Sequence, residues 1–362
     1  MHDLDLLVPS ALVDPGLADD LLHGVAMPHL DAMATRGQGA TSHPLPGDAP
    51  LASWQAWVFG GRGGPAADWD RINVAELWAM ACGLAPAVGG GRWVVEPAHF
   101  KIANDHLRLD DPRELSITLA EARALADSIE PVLADAGWQL HPVEASTLTH
   151  WPVARSDGVR LVAPAIDRAI HDNVAAWQPR MATVATTGTP PATDPALDWR
   201  RCVNEIQMLW FGHPVNEARE ARGQPTVNTL WLSGNGAPRG EMPHYASVDS
   251  DLALLAALPF EPDAPRVLES FDALVAPMRA EDWSGWRDAL GALDARLGAV
   301  AAQQAAGTLG TVTVVLCGAH GAKALTAGAR DLGRPWRGWF RKAPPLAGLL
   351  ADLDAVAPAP SA

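Results

Sequence analysis

The chain has 362 residues, 48% of them hydrophobic and 19% charged, with a formal net charge of −15. That length supports a large core, either one domain with an inserted lobe or two domains, and the apolar content excludes a disordered chain. The acidic balance excludes general nucleic-acid binding, because no basic excess exists to displace counterions; local arginines still leave room for an anionic small ligand.

The three cysteines, Cys82, Cys202 and Cys317, are too scattered for a disulfide framework or a zinc ribbon. The N-terminus "MHDLDLLVPSALVDPG" carries acids where a signal peptide needs bases, and no apolar run approaches membrane-span length. A cytoplasmic protein without a transmembrane segment is expected.

In chain order, "LDLLVPSAL" (Leu4 to Leu12) reads as a buried first strand. "MPHLDAMATRG" follows as a short helix, with Pro28 in its first turn and Gly37 as its stop. A Pro/Gly loop leads into an apolar helix at about Ser53. Gly91 to Asp111 alternates like a β-hairpin with its turn near Asn104-Asp105. "TLAE" at Thr118 is a capping box that opens a helix ending near Gly137. "WQLHPVEASTLTHWPVA" reads as further strand, so the stretch from about Ala87 to Pro164 is an antiparallel α+β lobe.

After the linker-like "TGTPPATDPALD", helices and strands alternate. Helix Trp199 to Phe211 and helix Pro214 to Arg222 precede strand "VNTLWLSG" and helix "VDSDLALLAAL". Strand "RVLESFDALV", a long helix from Glu281 and strand "TVTVVL" complete the series. This alternation predicts a parallel sheet covered by helices, with ligands at the carboxyl ends of the strands. The long helix carries Trp283, Trp286, Leu290, Leu293, Leu297 and Val300 at core spacing.

The most distinctive stretch is "NEIQMLWFGHPVNEAREARGQPTVNTLWLSGNG" (Asn204 to Gly236). Its His213, Pro214, Asn216, Arg219, Gly223, Pro225, Asn228, Trp231, Gly234 and Gly236 resemble a signature of archaeal-type cofactor-independent phosphoglycerate mutases. Those enzymes belong to the alkaline phosphatase superfamily. "MPHLDAMATRG" is similar to that superfamily's helix after the first strand. The resemblance is nearest to a degenerate bacterial branch labelled regulatory protein RpfE.

The resemblance implies an alkaline-phosphatase-like α/β fold, with a mainly parallel sheet, helices on both faces and an inserted α+β lobe. The sheet domain is expected over residues 1–86 and 165–345, the lobe over 87–164 and a C-terminal tail over 346–362. It also implies two divalent ions bridging a phosphorylated Ser or Thr, held by Asp and His ligands. At the end of the first strand, where those enzymes carry Asp-Gly, this chain has Pro9-Ser10. On the last strand their Asp-His-Gly is matched by Ala319-His320-Gly321, and a methyl group coordinates nothing.

The expectation is therefore a phosphoglycerate-mutase-like protein that has lost metal-dependent phosphotransfer, needs no cofactor and serves as a binding or regulatory protein. Its ligand would be a phosphorylated or carboxylated small molecule at His213, Asn216, Arg219, Arg222 and Asn228. Arg219 and Arg222, three apart on a helix, could clamp an anion or simply pair with nearby glutamates. The alternative is an active Mn- or Zn-dependent mutase or phosphatase with relocated ligands, drawn from Asp14, Asp272, Asp282 and His320. Ser53 or His320 would then act catalytically. Between Arg330 and Lys342, five basic residues alternate with Trp336, Trp339 and Phe340. That patch reads as a dock for an acidic partner, or as a terminal segment packing its aromatics.

Overall fold

In the computed structural model, residues 1–60, 72–85, 90–103, 105–181, 194–237, 243–256, 258–328 and 344–356 are described. They form two compact units. The first comprises Met1–Ala49, Ser53–Ala67 and Met242–Ala362, and the second Pro50–Ala52 and Asp68–Glu241. Among the described residues no helix is long and apolar enough to cross a membrane.

The first unit is built on a six-stranded sheet in the order Ser247–Asp249, Arg266–Ser270, His2–Val8, Leu309–Cys317, Gly321–Ala327, Ala40–Pro44. The first four strands run parallel and the last two are antiparallel additions. This is the mixed α/β architecture with a mainly parallel sheet that the helix–strand alternation predicts. His2–Val8 lies between two parallel neighbours, which is why its residues 4–8 are all buried. Leu4, Leu6 and Val8 share one core with Leu30 and Met33 of helix Pro28–Arg36 and with Trp286, Leu290, Leu293 and Leu297 of helix Trp283–Ala305.

That long helix also supplies a cap. Met27, at the start of helix Pro28–Arg36, offers no side-chain acceptor. Asp294 replaces it, accepting the N–H groups of His29 and Leu30 at 3.0 Å each, so two orphan donors of the first turn are satisfied from a neighbouring helix.

The second unit holds a four-stranded antiparallel sheet in the order Thr229–Ser233, Gly91–Ala98, Trp151–Arg155, Gln139–Leu140. One face carries Trp93, Val95, Trp151, Val153, Leu230 and Leu232 into an apolar core with helices Leu119–Asp135 and Pro195–Phe211. Thr118 and Glu121 form the capping box read from sequence. A small hairpin pairs Phe100–Ile102 with Leu107–Leu109.

Four expectations change. Strand "VNTLWLSG" joins the antiparallel sheet, with Trp231 opposite Glu96, instead of the parallel one. Its pairing draws residues 165–241 into the second unit, so the boundaries differ from a lobe confined to 87–164. The stretch "VDSDLALLAAL" opens as edge strand Ser247–Asp249 and yields only the short helix Ala253–Ala256. The segment expected as a tail after residue 345 is instead integral to the first unit: helix Leu346–Leu350 buries Leu349 and Leu350 in the core, and Val13 bridges to Ala351.

Candidate functional site

The strand-end loops of the first unit are where ligands are expected in such a sheet. Strand Leu309–Cys317 ends in Gly318-Ala319-His320, which turns back into strand Gly321–Ala327. Three other segments of the chain close on this loop. After the first strand, Ala11 and Leu12 both donate their N–H to the Cys317 carbonyl, at 2.9 and 3.2 Å. Ser53, opening helix Ser53–Phe59, donates its hydroxyl to the Gly318 carbonyl at 2.6 Å. Asp352 accepts the N–H groups of Ala319 at 2.7 Å and His320 at 3.1 Å.

The Asp352 carboxylate lies so close that a Cβ on Gly318 would stand 2.4 Å from its Oδ1; only glycine leaves room for it. Burial pushes the Asp352 carboxyl up from its ordinary range, and the N–H groups of Leu353, His320 and Ala319 pull only part of the way back. A second charged anchor lies beside it. Lys323 is buried and donates to the carbonyls of Gly348, Leu349 and Ala351, capping the end of helix Leu346–Leu350. Burial lowers the Lys323 pKa, and Asp352 opposes that shift. Residues 346–356 thus form a strap, pinned by one carboxylate and one ammonium and closed by Gly47 donating to the Val356 carbonyl at 3.0 Å.

The candidate metal ligands have other employment. Asp14 is exposed and caps helix Pro15–Leu21 by accepting from Gly16 N–H at 2.7 Å. Asp282 is likewise exposed and caps the long helix through Gly285 N–H at 2.9 Å. Asp272 follows strand Arg266–Ser270 and accepts from the Ser270 hydroxyl at 2.5 Å and Asp251 N–H at 3.2 Å; burial raises its pKa. His320 is half-buried. Two dications need a shell of anionic oxygen and imidazole donors. Among the described residues no three His, Cys, Asp or Glu side chains come together in a way that could hold even one metal ion, so this donor set does not fit the pair of ions.

The expected ligand-binding residues of the Asn204–Gly236 signature hold the second unit together. His213 caps helix Pro214–Ala221 by accepting from Val215 N–H at 3.2 Å. Asn216 is buried, donates to the carbonyls of Trp210 and Val227 and accepts from Val227 N–H, all at 2.8 Å. Asn228 exchanges the same pair of bonds with the backbone of Phe100, at 2.7 and 2.9 Å.

Arg219 and Arg222 do not form an outward clamp. Arg219 is fully buried; its guanidinium donates to Pro225 O at 2.7 Å, to Leu115 O, and to Glu121 at 3.1 Å. Arg222 is half exposed and reaches the other oxygen of Glu121 at 2.7 Å. Burial pushes Glu121 up, but hydrogen bonds from Thr118 and the two arginines outweigh it and hold the carboxyl below its usual range. The basic patch from Arg330 to Lys342 lies outside the described residues.

Asp352 and Lys323 carried no signal in the sequence as site residues. The only available cue was an aspartate directly after the apolar run "LAGLLA", which reads as an ordinary helix end.

No protein-family model matches the chain, and no curated protein matches it. Solved structures similar to it include the PH0037 protein of Pyrococcus horikoshii, at 13% identity over 90% of this chain and 87% of that one, with a TM-score of 0.49. A cofactor-independent phosphoglycerate mutase from Thermoplasma acidophilum DSM 1728 matches at 14% identity over 91% and 90% of the two chains, with a TM-score of 0.41. Likenesses this distant assign neither an activity nor a site residue to this chain.

Proposed function

We propose that this chain is a phosphoglycerate-mutase-like protein whose strand-end loop no longer supports metal-dependent phosphotransfer, and that it serves as a binding or regulatory protein. The observation that supports this reading is the Asp352 carboxylate on the backbone N–H groups of Ala319 and His320. Adjacent N–H groups pointing one way make a cradle for an anion. Here the chain fills that cradle itself, at the loop the resemblance equips with metal ligands. The serine nearest the loop, Ser53, spends its hydroxyl on the Gly318 carbonyl. A phosphorylated or carboxylated metabolite would be recognised by the same backbone donors, in competition with the strap.

The test is a thermal-shift titration of chelator-stripped protein with Mn²⁺ and with Zn²⁺. A ligand at 100 times its Kd that binds only the folded state stabilises by about 2.7 kcal/mol, a readily visible shift. No saturable rise is expected with either ion. A saturable rise that disappears in His320→Ala would instead restore the metal-dependent mutase or phosphatase.

A further inference from the structure

The second unit contains an ionisable cluster that the reading above does not use. Beside its apolar face, the antiparallel sheet has a second face on which Arg92, Glu96 and Ser233 lie, with helix Val74–Ala81 packed on the same strand. Glu96 is 5% exposed, on central strand Gly91–Ala98. One of its oxygens accepts from the Ser233 hydroxyl at 2.7 Å, and the other lies 3.1 Å from Nε2 of His150. The His150 ring stacks on Trp78, with centroids 4.0 Å apart and planes at 19°. On its far side, Nδ1 of His150 is 2.8 Å from the hydroxyl of Thr149.

The carboxylate 3.1 Å from Nε2 favours the tautomer with the ring proton on that nitrogen, which leaves Nδ1 to accept from Thr149. We propose that Thr149, His150 and Glu96 form a nucleophile–base–carboxylate relay that hydrolyses an acyl ester. A hydroxyl within reach of a base that a third group orients is the arrangement covalent catalysis requires. The burial gradient has the right sense: Glu96 is enclosed, His150 keeps 28% of its side chain exposed, and Thr149 is half-buried. The Thr149–His150 pair and the carboxylate are positioned by neighbouring strands of the sheet. Ser233 holds the carboxylate from one neighbouring strand, and His150 immediately precedes the other, where Trp151 pairs with Val95. Trp78 fixes the plane of the ring.

In the first step Thr149 Oγ1 bonds to the ester carbonyl carbon and its proton passes to Nδ1. Collapse breaks the bond to the alkoxy oxygen, which leaves as the alcohol with that proton. A water molecule then repeats the sequence on the acyl-threonine, releasing the carboxylic acid and restoring the hydroxyl. Glu96 is a positioning residue: its carboxylate, 3.1 Å from Nε2, stabilises the imidazolium electrostatically.

The experiment uses the full chain and p-nitrophenyl acetate, with release of p-nitrophenol followed and the acetylated peptide identified by mass spectrometry. Wild type should turn over and carry an acetyl group on Thr149. Thr149→Ala and His150→Ala should each lose roughly 10²-fold or more, Thr149→Ser should retain activity, and His106→Ala, at a half-buried histidine of the separate small hairpin, should match wild type. Glu96→Gln should lower kcat with KM unchanged, which a general loss of packing would not do. Should His150→Ala fail to fold, Thr149→Ala, which removes a half-buried hydroxyl and one methyl group, still decides. Equal rates in wild type and Thr149→Ala, or acetylation confined to other residues, would overturn the proposal.

Discussion

Asp352 and Ala319, 33 residues apart, are joined by a 2.7 Å hydrogen bond from the Ala319 N–H to the Asp352 carboxylate, whose same oxygen also takes the His320 N–H. One C-terminal side chain thereby satisfies two backbone donors at the carboxyl end of a central strand. Asp352→Ala strands both donors and should lower the stability of the first unit by about 1–3 kcal/mol. Asp352→Asn keeps an oxygen acceptor and should lose less. Urea unfolding midpoints measure both, and wild-type midpoints for the two variants would mean that the strap is not anchored there.

The same contact makes Gly318 sensitive to a single methyl group. A Cβ at Gly318 would lie 2.4–2.6 Å from the Asp352 carboxyl atoms, so Gly318→Ala must displace the strap. Since both substitutions break one contact, Gly318→Ala combined with Asp352→Ala should cost less than the sum of the two. Residues in direct contact couple by 0.5 to about 3 kcal/mol in such cycles. Strict additivity in urea unfolding would show that the two residues do not share the contact.

Arg219 and Arg222 share Glu121 but should differ sharply on substitution. Arg219→Ala removes a buried cation and leaves Glu121 and the carbonyls of Leu115 and Pro225 short of a donor, with an expected loss of about 3–5 kcal/mol. Arg222→Ala removes a half-exposed partner and should cost no more than about 1 kcal/mol. Because the Glu121 carboxyl lies below its usual range, its contribution is present above the unfolded-state value and is lost as pH falls. Comparable losses for the two variants in chemical denaturation would contradict this division of roles.

Asp167 should give the opposite pH dependence. Burial pushes its carboxyl up to about 6, against the pull of Arg113 and with the help of Glu96 and Asp111. Between the ordinary value of 3.8 and about 6 the folded state holds a proton that the unfolded state has released, so Asp167 lowers stability as pH rises through that window. Asp167→Asn removes this slope. Its urea midpoint should gain on wild type between pH 4 and pH 7, and an unchanged difference across that range would rule the shift out.

The local elements were legible in the chain because local chemistry sets them. Pro28 and Gly37 bracket a helix that runs Pro28–Arg36; Thr118 and Glu121 start another; the spacing of Trp286, Leu290, Leu293, Leu297 and Val300 marks the buried stripe of the long one. The β-branched run ending at Cys317 forms a central parallel strand, since it is apolar on both faces. These features depend on residues within a few positions of one another.

Pairing and long-range charge contacts are of another kind. Strand Thr229–Ser233 reads equally well for a parallel or an antiparallel sheet, and only its register against Gly91–Ala98 sets which unit it joins. His213, Asn216, Arg219 and Asn228 advertise polar chemistry in sequence, yet each spends it on nearby backbone or on Glu121, a distribution fixed by burial. Asp352 on the Ala319 N–H, and His150 between Thr149 and Glu96, unite residues whose separations along the chain carry no periodic signal. The sequence by itself determined most of the helices and strands and those caps whose acceptor lies within a few residues, such as Thr118 and Asp14. Tertiary structure alone decided which polar groups meet, because only chain closure brings a distant carboxylate within hydrogen-bond range of its donors.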